Sequence, residues 1–328
     1  MTLANLPKVE LHLHLEGAAP PAFIRDLAAR KGIDIAGIFR ADGSYRFRDF
    51  ADFLQVYEAA TSVLTRPEDY AALTRAVLQD RAEDGVIYAE TFLSPDFCGG
   101  GEVAAWREYL AAIREAADAA ERDFGITLRG IVTCIRHFGP DRARPVAVAA
   151  AETAGDWLAG FGIAGDERAG HLRDFAWSFD CAREAGLHLT AHAGEWDGPA
   201  SVRAALDDLR VERIGHGVRA IEDPALLDRL VEDGVMLEVC PGSNLALSLY
   251  PGWGAHPVGS LRDRGVRVSL STDDPPFFHT SLTREYDRLA DAFGWEAETF
   301  AAINRDALAA AFCDTATRDR LMPRLETP

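Results

Sequence analysis

The strongest constraint on the fold is a regular alternation of short β-rich runs with stretches of helical periodicity. The β-rich runs are predicted at residues 9–13, 86–92, 127–135, 157–163, 187–192, 213–216, 235–240 and 266–271. Between the second and third runs, Trp106, Ile113 and Ala117 share one helical face, and Gly125 is a stop signal. This strand–helix alternation favours a closed parallel (β/α)8 TIM barrel of the α/β class.

A doubly wound open sheet is the alternative fold, but no nucleotide-binding motif supports it. G-x-x-x-x-G-K-[ST] does not occur in the sequence, and G-x-G-x-x-G occurs once, at residues 160–165, where it begins within a predicted β-rich run instead of at the start of a helix. Repeats, low-complexity segments and linker-like tracts of proline, glycine or serine are also absent. We therefore expect residues 1–328 to form a single domain, for which an apolar content of 48% is sufficient.

One connection is too long for a simple barrel. Residues 18–84 lie between the first two predicted strands, and a single crossover helix needs far fewer. An apolar stripe at i, i+3, i+4 and i+7 spacing predicts a helix here; it consists of Phe50, Phe53, Leu54 and Tyr57. This helix either packs on the barrel as an ordinary element or covers the face where barrel active sites form. We expect the insertion to be a lid, with Phe50, Phe53 and Leu54 contacting the substrate.

The charge balance argues against a nucleic-acid partner. The chain has 34 basic and 52 acidic side chains, which gives a formal net charge of -18. Affinity for a phosphate backbone comes mostly from clustered lysine and arginine, and no basic run interrupts the acidic balance. We therefore expect a small-molecule partner.

The cysteines and the apolar runs bear on the compartment. The five cysteines are scattered without a C-x-x-C motif, which favours reduced thiols in a cytoplasm. The N-terminus has no charged-then-apolar signal segment, and no run of 18 apolar residues occurs. These patterns predict a cytoplasmic protein without a membrane partner.

Two histidines belong to the first predicted strand. His12 and His14 are two residues apart, so both side chains point to the same side of the strand. Two imidazoles aimed into a barrel are expensive unless something uses them, and histidine is a common zinc ligand. Alone, the pair is equally compatible with hydrogen-bonded core residues.

Further polar groups follow the fifth, sixth and eighth predicted strands. His192 ends the fifth strand, with Glu195 three residues later, and His216 ends the sixth. Asp273 and Asp274 follow the eighth strand. Adjacent acids before a proline are common helix N-caps, but two carboxylates at a buried strand end repel, and a nearby cation would relieve that cost. Because the strand ends share one rim of a barrel, we expect these groups to converge.

Three imidazoles and one carboxylate would fill most of the coordination shell of a metal ion, with an open position for water. A competing arrangement holds two metals bridged by a carboxylated lysine from mid-barrel. The only lysines, Lys8 and Lys31, precede the second strand, so a mononuclear site is favoured. The remaining histidines lack partners of this kind and are interpreted as core or surface residues; they are His137, His171, His188, His256 and His279.

Six motifs resemble the adenosine deaminase family in their order and spacing. They are ELHLHLEG, GDE after the fourth strand, TAHAGE, RIGHG, CPGSN and STDDP. The resemblance spans nearly the whole chain. It implies a zinc-dependent (β/α)8 barrel with one Zn²⁺ per chain, which hydrolyses the 6-amino group of a purine and releases ammonia.

The resemblance also implies roles for the matching residues. The zinc ligands would be His12, His14, His192 and Asp273. Glu195 would hand a proton to purine N1, and His216 would orient and stabilise the metal-bound hydroxide beside Asp273. Asp274 would contact N7, and the backbone N–H of Gly165 would contact N3. The CPGSN segment is expected to be a structural neighbour of the site without a chemical role.

The preferred substrate depends on fewer residues. Adenosine-specific members commonly read HLDG, where the acid helps to hold the ribose 5′-hydroxyl, whereas this chain has Glu16 in HLEG, a form shared with adenine-specific and modified-nucleoside relatives. RIGHG and STDDP resemble the adenosine branch. We therefore expect adenosine and 2′-deoxyadenosine as substrates, in contact with His14 and Glu16. The alternatives are adenine or a modified adenosine, a cyclic amide cleaved by a related hydrolase, and a binding module that has lost its chemistry.

Overall fold

The computed structural model describes residues 2–326 and contains a parallel eight-stranded barrel. The strands are β1 (Lys8–His14), β2 (Val86–Leu93), β3 (Thr127–Ile135), β4 (Leu158–Ala164), β5 (His188–Ala193), β6 (Arg213–His216), β7 (Met236–Val239) and β8 (Arg267–Leu270). Each strand pairs in parallel with the next one along the chain. Every predicted strand boundary lies within one residue of the observed one, so the predicted (β/α)8 barrel is confirmed.

Backbone contacts between β1 and the residues after β8 close the barrel. Leu13 and Asp273 form a parallel bridge. The amide of His14 donates to the carbonyl oxygen of Asp273 at 3.1 Å, and the amide of Asp273 donates to the carbonyl oxygen of His12 at 3.2 Å. Closure of the barrel therefore brings both histidines of β1 beside Asp273.

The described part of the chain contains helices α1 (Pro21–Lys31), α2 (Phe50–Thr61), α3 (Pro67–Glu83), α4 (Val103–Phe124), α5 (Pro140–Thr153), α6 (Ala176–Glu184), α7 (Pro199–Ala204), α8 (Pro224–Glu232), α9 (Pro241–Ala246), α10 (Val258–Asp263), α11 (Pro275–Phe278), α12 (Leu282–Phe293), α13 (Ala297–Ala310) and α14 (Thr315–Glu326). Many begin with proline, whose missing N–H is tolerated in the first helical turn. α4 ends at Gly125, which has a left-handed φ of 73° as its predicted stop requires. Within residues 2–326, none of the helices combines the length and the apolar character needed to cross a membrane.

The long connection between β1 and β2 contains α1, α2 and α3. α3 packs against α4 and β2, so it takes the place of the crossover helix, and α1 and α2 are additional. The apolar face of α2 packs over the C-terminal end of the barrel, where the rings of Phe53 and Phe278 are 5.2 Å apart. The predicted helix is thus present. Its movement as a lid, the 18–84 boundaries of the insertion and the single domain over 1–328 stay predictions.

Residues that follow α13 close the opposite end of the barrel. The ring of Phe312 stacks on that of His188, the first residue of β5, and lies 3.5 Å from the guanidinium carbon of Arg213. Arg213 forms buried ion pairs with Glu90 at 2.5 Å and with Glu238 at 2.7 Å. Because each buried charge has a partner, the barrel interior tolerates this polar layer. Glu238 connects the layer to the cluster of histidines above it.

Candidate active site

The four predicted metal ligands converge at the C-terminal end of the barrel. One ligand atom from each of His12, His14, His192 and Asp273 lies within 4.8 Å of the other three. The Nε2 atom of His14 is 3.2 Å from His192 Nε2 and 3.3 Å from Asp273 Oδ1. The structure therefore brings these side chains together as the sequence predicted, and their binding of a metal stays a prediction.

The donor set fits a divalent metal ion. Three imidazoles and one carboxylate are ligands that zinc prefers in catalytic sites. The Nε2 atom of His12 is buried without a hydrogen-bond partner, and it lies 3.5 Å from Asp273 Oδ1. A buried polar nitrogen without a partner is costly, and coordination to a cation would satisfy it.

The backbone around this cluster is strained at two residues. His216 ends β6 with a φ of 60°, and Asp273 follows β8 with a φ of 65°. Non-glycine residues in the left-handed region cost free energy, and such residues concentrate at active sites. In this conformation both side chains line the same cavity, and His216 Nε2 lies 3.9 Å from Asp273 Oδ2.

Glu238 on β7 orients His12, and the sequence analysis did not assign it a role. Its Oε2 accepts a hydrogen bond from His12 Nδ1 at 2.8 Å, while Oε1 accepts from Thr190 and from Arg213. Burial opposes ionisation, but the charge of Arg213 and the hydrogen bond from His12 lower the pKa of Glu238 to about 2. An ionised acceptor at Nδ1 leaves the Nε2 lone pair of His12 free for a metal ion. The only sequence signal for this role is an acidic residue within a buried β-rich run.

The variant Glu238→Gln is therefore expected to weaken zinc affinity by about 10–100-fold, because a neutral amide no longer favours the Nδ1–H form of His12. Competition with a chromophoric chelator measures the affinity. Glu285→Gln is the matched control, since Glu285 is equally buried but contacts the amide of Gly242 instead of a histidine. Equal zinc affinity in the wild type and in Glu238→Gln would contradict the orienting role.

Glu167 holds the turn that carries Glu195. Its carboxylate accepts hydrogen bonds from four consecutive backbone amides at distances of 2.5–3.0 Å, those of Gly194, Glu195, Trp196 and Asp197. A fifth bond comes from the hydroxyl of Ser201 at 2.5 Å. In the sequence, Glu167 is recognisable only as part of the GDE motif. The sequence carries no specific signal for this role, because Glu167 is followed directly by Arg168, a pattern that is also typical of a surface ion pair.

The environment of Glu195 favours the neutral form of its carboxyl group. Burial and the nearby charge of Asp273 raise the pKa of Glu195 well above its ordinary value. Asn244 Nδ2 lies 3.5 Å from Oε1 of Glu195, and His216 Nδ1 lies 3.9 Å from the same oxygen. A protonated, buried carboxyl group at the edge of a cavity is suited to donate a proton to a ligand.

Asp274 and Gly165 are available to a ligand in different ways. Burial and the charge of Asp273 raise the pKa of Asp274 well above its ordinary value, and its Oδ1 atom has no hydrogen-bond partner. Gly165 has a φ of 98°, and a Cβ there would lie 2.6 Å from Nδ1 of His137. Glycine is thus required at a position where the backbone itself borders the cavity.

The CPGSN segment contacts the site more closely than the sequence analysis expected. Ser243 donates a hydrogen bond to Asp273 Oδ2 at 2.7 Å. Asn244 lies between Glu195 and His216, and its Oδ1 is 3.1 Å from Nε2 of His256. His256, interpreted from the sequence as a core or surface residue, is buried and is connected to the site through Asn244. These contacts depend on the tertiary structure, which brings α9 beside His216, Asp273 and His256.

A cavity of about 100 Å³ opens in front of these groups. Every residue predicted to contact the substrate lines it, namely His14, Glu16, Phe50, Phe53, Leu54, Gly165 and Asp274. Glu195 and His216 line it as well. The remaining walls include the aromatic side chains of Phe92, Phe97 and Phe278. The cavity can therefore hold a flat ring between aromatic walls, with polar groups at its edge.

The start of α2 is fastened to the loops after β4 and β5. The ring of Phe50 lies 4.9 Å from that of Trp196. The guanidinium of Arg168 lies 5.7 Å from the Phe50 ring and 5.5 Å from the Trp196 ring. Stacking and cation–π contacts thus hold α2 over the cavity.

Together, the barrel, the histidine and aspartate cluster at its strand ends and the enclosed cavity define an amidohydrolase-type barrel. The chain belongs to the adenosine deaminase family, because the family model described as adenosine deaminase matches residues 7–328. The resemblance drawn from the six motifs is thereby confirmed.

Individual relatives agree with this assignment. The chain is 51% identical to a protein named adenine deaminase from Agrobacterium fabrum, over 98% of both chains. The crystal structure of adenine deaminase from Arthrobacter aurescens superimposes with a TM-score of 0.90 at 31% identity, over 98% of both chains. A Burkholderia ambifaria amidohydrolase with bound zinc has a TM-score of 0.87 at 28% identity and covers 99% of this chain and 90% of its own.

Proposed function

We propose that this protein is an adenine deaminase, which hydrolyses the 6-amino group of the free base to give hypoxanthine and ammonia. This adopts the alternative that the sequence analysis kept open and replaces its preference for adenosine. The name of the relative that is 51% identical supports the choice, as does that of the structure with a TM-score of 0.90.

The burial and hydrogen bonding of Glu16 are the observation that supports adenine over adenosine as the substrate. In adenosine-specific members that read HLDG, the acid at this position is expected to hold the ribose 5′-hydroxyl. Here Glu16 is 3% exposed, and its two oxygens accept hydrogen bonds from Tyr70 at 2.9 Å and from Tyr57 at 3.4 Å. Burial raises the pKa of Glu16 to about 7. A carboxyl group already engaged by two tyrosines is a poor partner for a sugar hydroxyl.

The apolar side chains that α2 contributes to the cavity wall also favour the free base over a nucleoside. Three of the five α2 residues that border the cavity are apolar, namely Phe50, Phe53 and Leu54, and the other two are Tyr57 and Glu58. A ribose would bring hydroxyl groups against this wall, and burial of a hydroxyl without a hydrogen bond costs about 1–3 kcal/mol. A planar base without a sugar avoids that cost and gains aromatic contact.

The chemistry of the proposed reaction is divided among the side chains of the site. His12, His14, His192 and Asp273 would hold a zinc ion, which supplies an activated water at neutral pH when it is bound. Addition at C6 pushes negative charge onto N1, and Glu195 gives its proton to N1 as that charge develops. Protonated Asp274 donates to N7, and the amide of Gly165 donates to N3. The aromatic walls exclude bulk water from the reacting ring.

The specificity test compares kcat/KM for adenine, adenosine and 2′-deoxyadenosine by ammonia release from the zinc-loaded protein. We expect a preference of at least about 100-fold for adenine, because the nucleosides leave buried polar groups unpaired. Identically purified Glu195→Gln protein controls for contaminating deaminases from the expression host. Higher kcat/KM for a nucleoside would restore the original preference, and no turnover of any of the three would contradict purine deamination.

A further inference from the structure

A row of hydrogen bonds behind the site reaches a histidine that the reaction does not use. The amide of Val258 donates to His256 Nδ1 at 3.2 Å, and His256 Nε2 lies 3.1 Å from Asn244 Oδ1. Asn244 Nδ2 then lies 3.4 Å from His216 Nδ1 and 3.5 Å from Glu195 Oε1. His256, Asn244 and His216 are each at most 2% exposed.

The first bond of this row determines the tautomer of His256. A backbone N–H can only donate, so His256 Nδ1 must be an acceptor. Burial lowers the pKa of His256 to about 3, so its ring is neutral. A neutral imidazole that accepts at Nδ1 carries its hydrogen on Nε2. His256 therefore donates from Nε2 to the side-chain oxygen of Asn244.

That donation fixes the orientation of the Asn244 amide. Its oxygen must face His256, so its nitrogen faces the active site with two hydrogens. One hydrogen points to His216 Nδ1 and the other to Glu195 Oε1. A hydrogen on His216 Nδ1 would face the donor hydrogens of Asn244, and geometry excludes it. His216 consequently carries its hydrogen on Nε2, which faces Asp273 Oδ2 at 3.9 Å.

We propose that His256 and Asn244 are positioning residues, which set the tautomer of His216 and select the oxygen of Glu195 that carries the proton. Because Oε1 of Glu195 accepts from Asn244, the proton resides on Oε2. The hydrogen bond from the backbone amide of Val258 thus determines, through His256 and Asn244, which atoms of His216 and Glu195 carry hydrogen. The assignment of the tautomers does not depend on the substrate, whereas its effect on turnover rests on the proposed function.

Nuclear magnetic resonance tests the tautomers directly. Full-length zinc-loaded protein is labelled with ¹⁵N-histidine, and multiple-bond ¹⁵N–¹H spectra distinguish Nε2–H from Nδ1–H rings. Signals are assigned with His216→Gln and His256→Gln. We expect Nε2–H in both rings of the otherwise unaltered protein. A Nδ1–H ring at His216 or His256 would overturn the proposal.

Asn244→Asp changes the same spectrum in a defined direction. A carboxylate at this position accepts instead of donating, so His216 is expected to move its hydrogen to Nδ1. Asn304→Asp is the matched control, because Asn304 is a buried asparagine on α13 that contacts Val9 and Tyr286. It should leave the His216 signal unchanged. An unchanged His216 tautomer in folded Asn244→Asp would overturn the proposal.

A pair of His256 variants separates positioning from packing if Asn244→Asp does not fold. The amide of glutamine can replace the Nε2 donor, whereas leucine fills the space without a donor. We expect His256→Leu to lower kcat about tenfold with little change in KM, and His256→Gln to restore most of kcat. Equal kcat in the two variants would contradict positioning.

Different experimental outcomes would contradict the proposed function and the positioning role of His256 and Asn244. If the wild type does not deaminate adenine, the proposed function fails, while the spectra still decide the tautomers. If adenine is deaminated but His216 carries its hydrogen on Nδ1, only the positioning role fails.

Discussion

Replacement of Glu195 by glutamine is expected to lower kcat for adenine by at least about 100-fold while zinc binding is retained. The physical reason is the loss of a protonated group that neutralises charge at N1. Burial and the charge of Asp273 raise the pKa of Glu195 well above its ordinary value, which favours the protonated carboxyl group that the proposed role requires. Glutamine keeps the volume and can donate a hydrogen bond, but it cannot transfer a proton.

Steady-state kinetics and metal analysis of the same preparation measure this effect. Glu58→Gln is the matched control, because Glu58 also lines the cavity but lies on the exposed side of α2. Its kcat should stay close to that of the wild type. Near-normal turnover by Glu195→Gln would remove Glu195 from the mechanism.

Removal of the metal is expected to reduce deamination to the background of the uncatalysed reaction, because water is a poor nucleophile at neutral pH without an activating ion. Dialysis against a chelator and readdition of zinc test this. We expect activity to return in proportion to added zinc and to saturate at one ion per chain.

The stoichiometry discriminates between the two metal arrangements considered for the sequence. Saturation at two ions per chain would revive the binuclear site, although Lys8 is buried and donates to backbone carbonyls near the start of β1. The Glu195→Gln protein is a suitable control, since it should bind zinc with the same stoichiometry. Full activity in metal-free protein would contradict the metal requirement.

Much of the fold was predictable because its signals are local. A run of β-branched and apolar residues, followed by a helical pattern and a glycine stop, indicates a strand–helix unit wherever it occurs in the chain. The strand ends then located His12, His192 and Asp273, since all strands of a parallel barrel end on one rim. The helix α2 was visible from its apolar stripe for the same reason.

The groups that support the site were not predictable in this way. Glu167 and Glu238 are acids without a local signature, and their roles arise from donors that other parts of the chain bring to them. Asn244 was assigned no chemical role, and His256 was interpreted only as a core or surface residue. Most of their hydrogen bonds join residues that belong to different elements of the fold, and sequence periodicity does not predict which donors and acceptors meet there.

The substrate preference shows the same division. The motif that contains Glu16 was recognisable in the sequence, but the hydrogen bonding of the Glu16 carboxyl group depends on Tyr57 from α2 and Tyr70 from α3. The sequence alone determined the barrel, the order of its strands and the residues that meet at its rim, because periodicity and parallel closure dictate them. Only the tertiary structure decided which partners each buried group has, because hydrogen bonds and the pKa of a carboxyl depend on distances across the barrel.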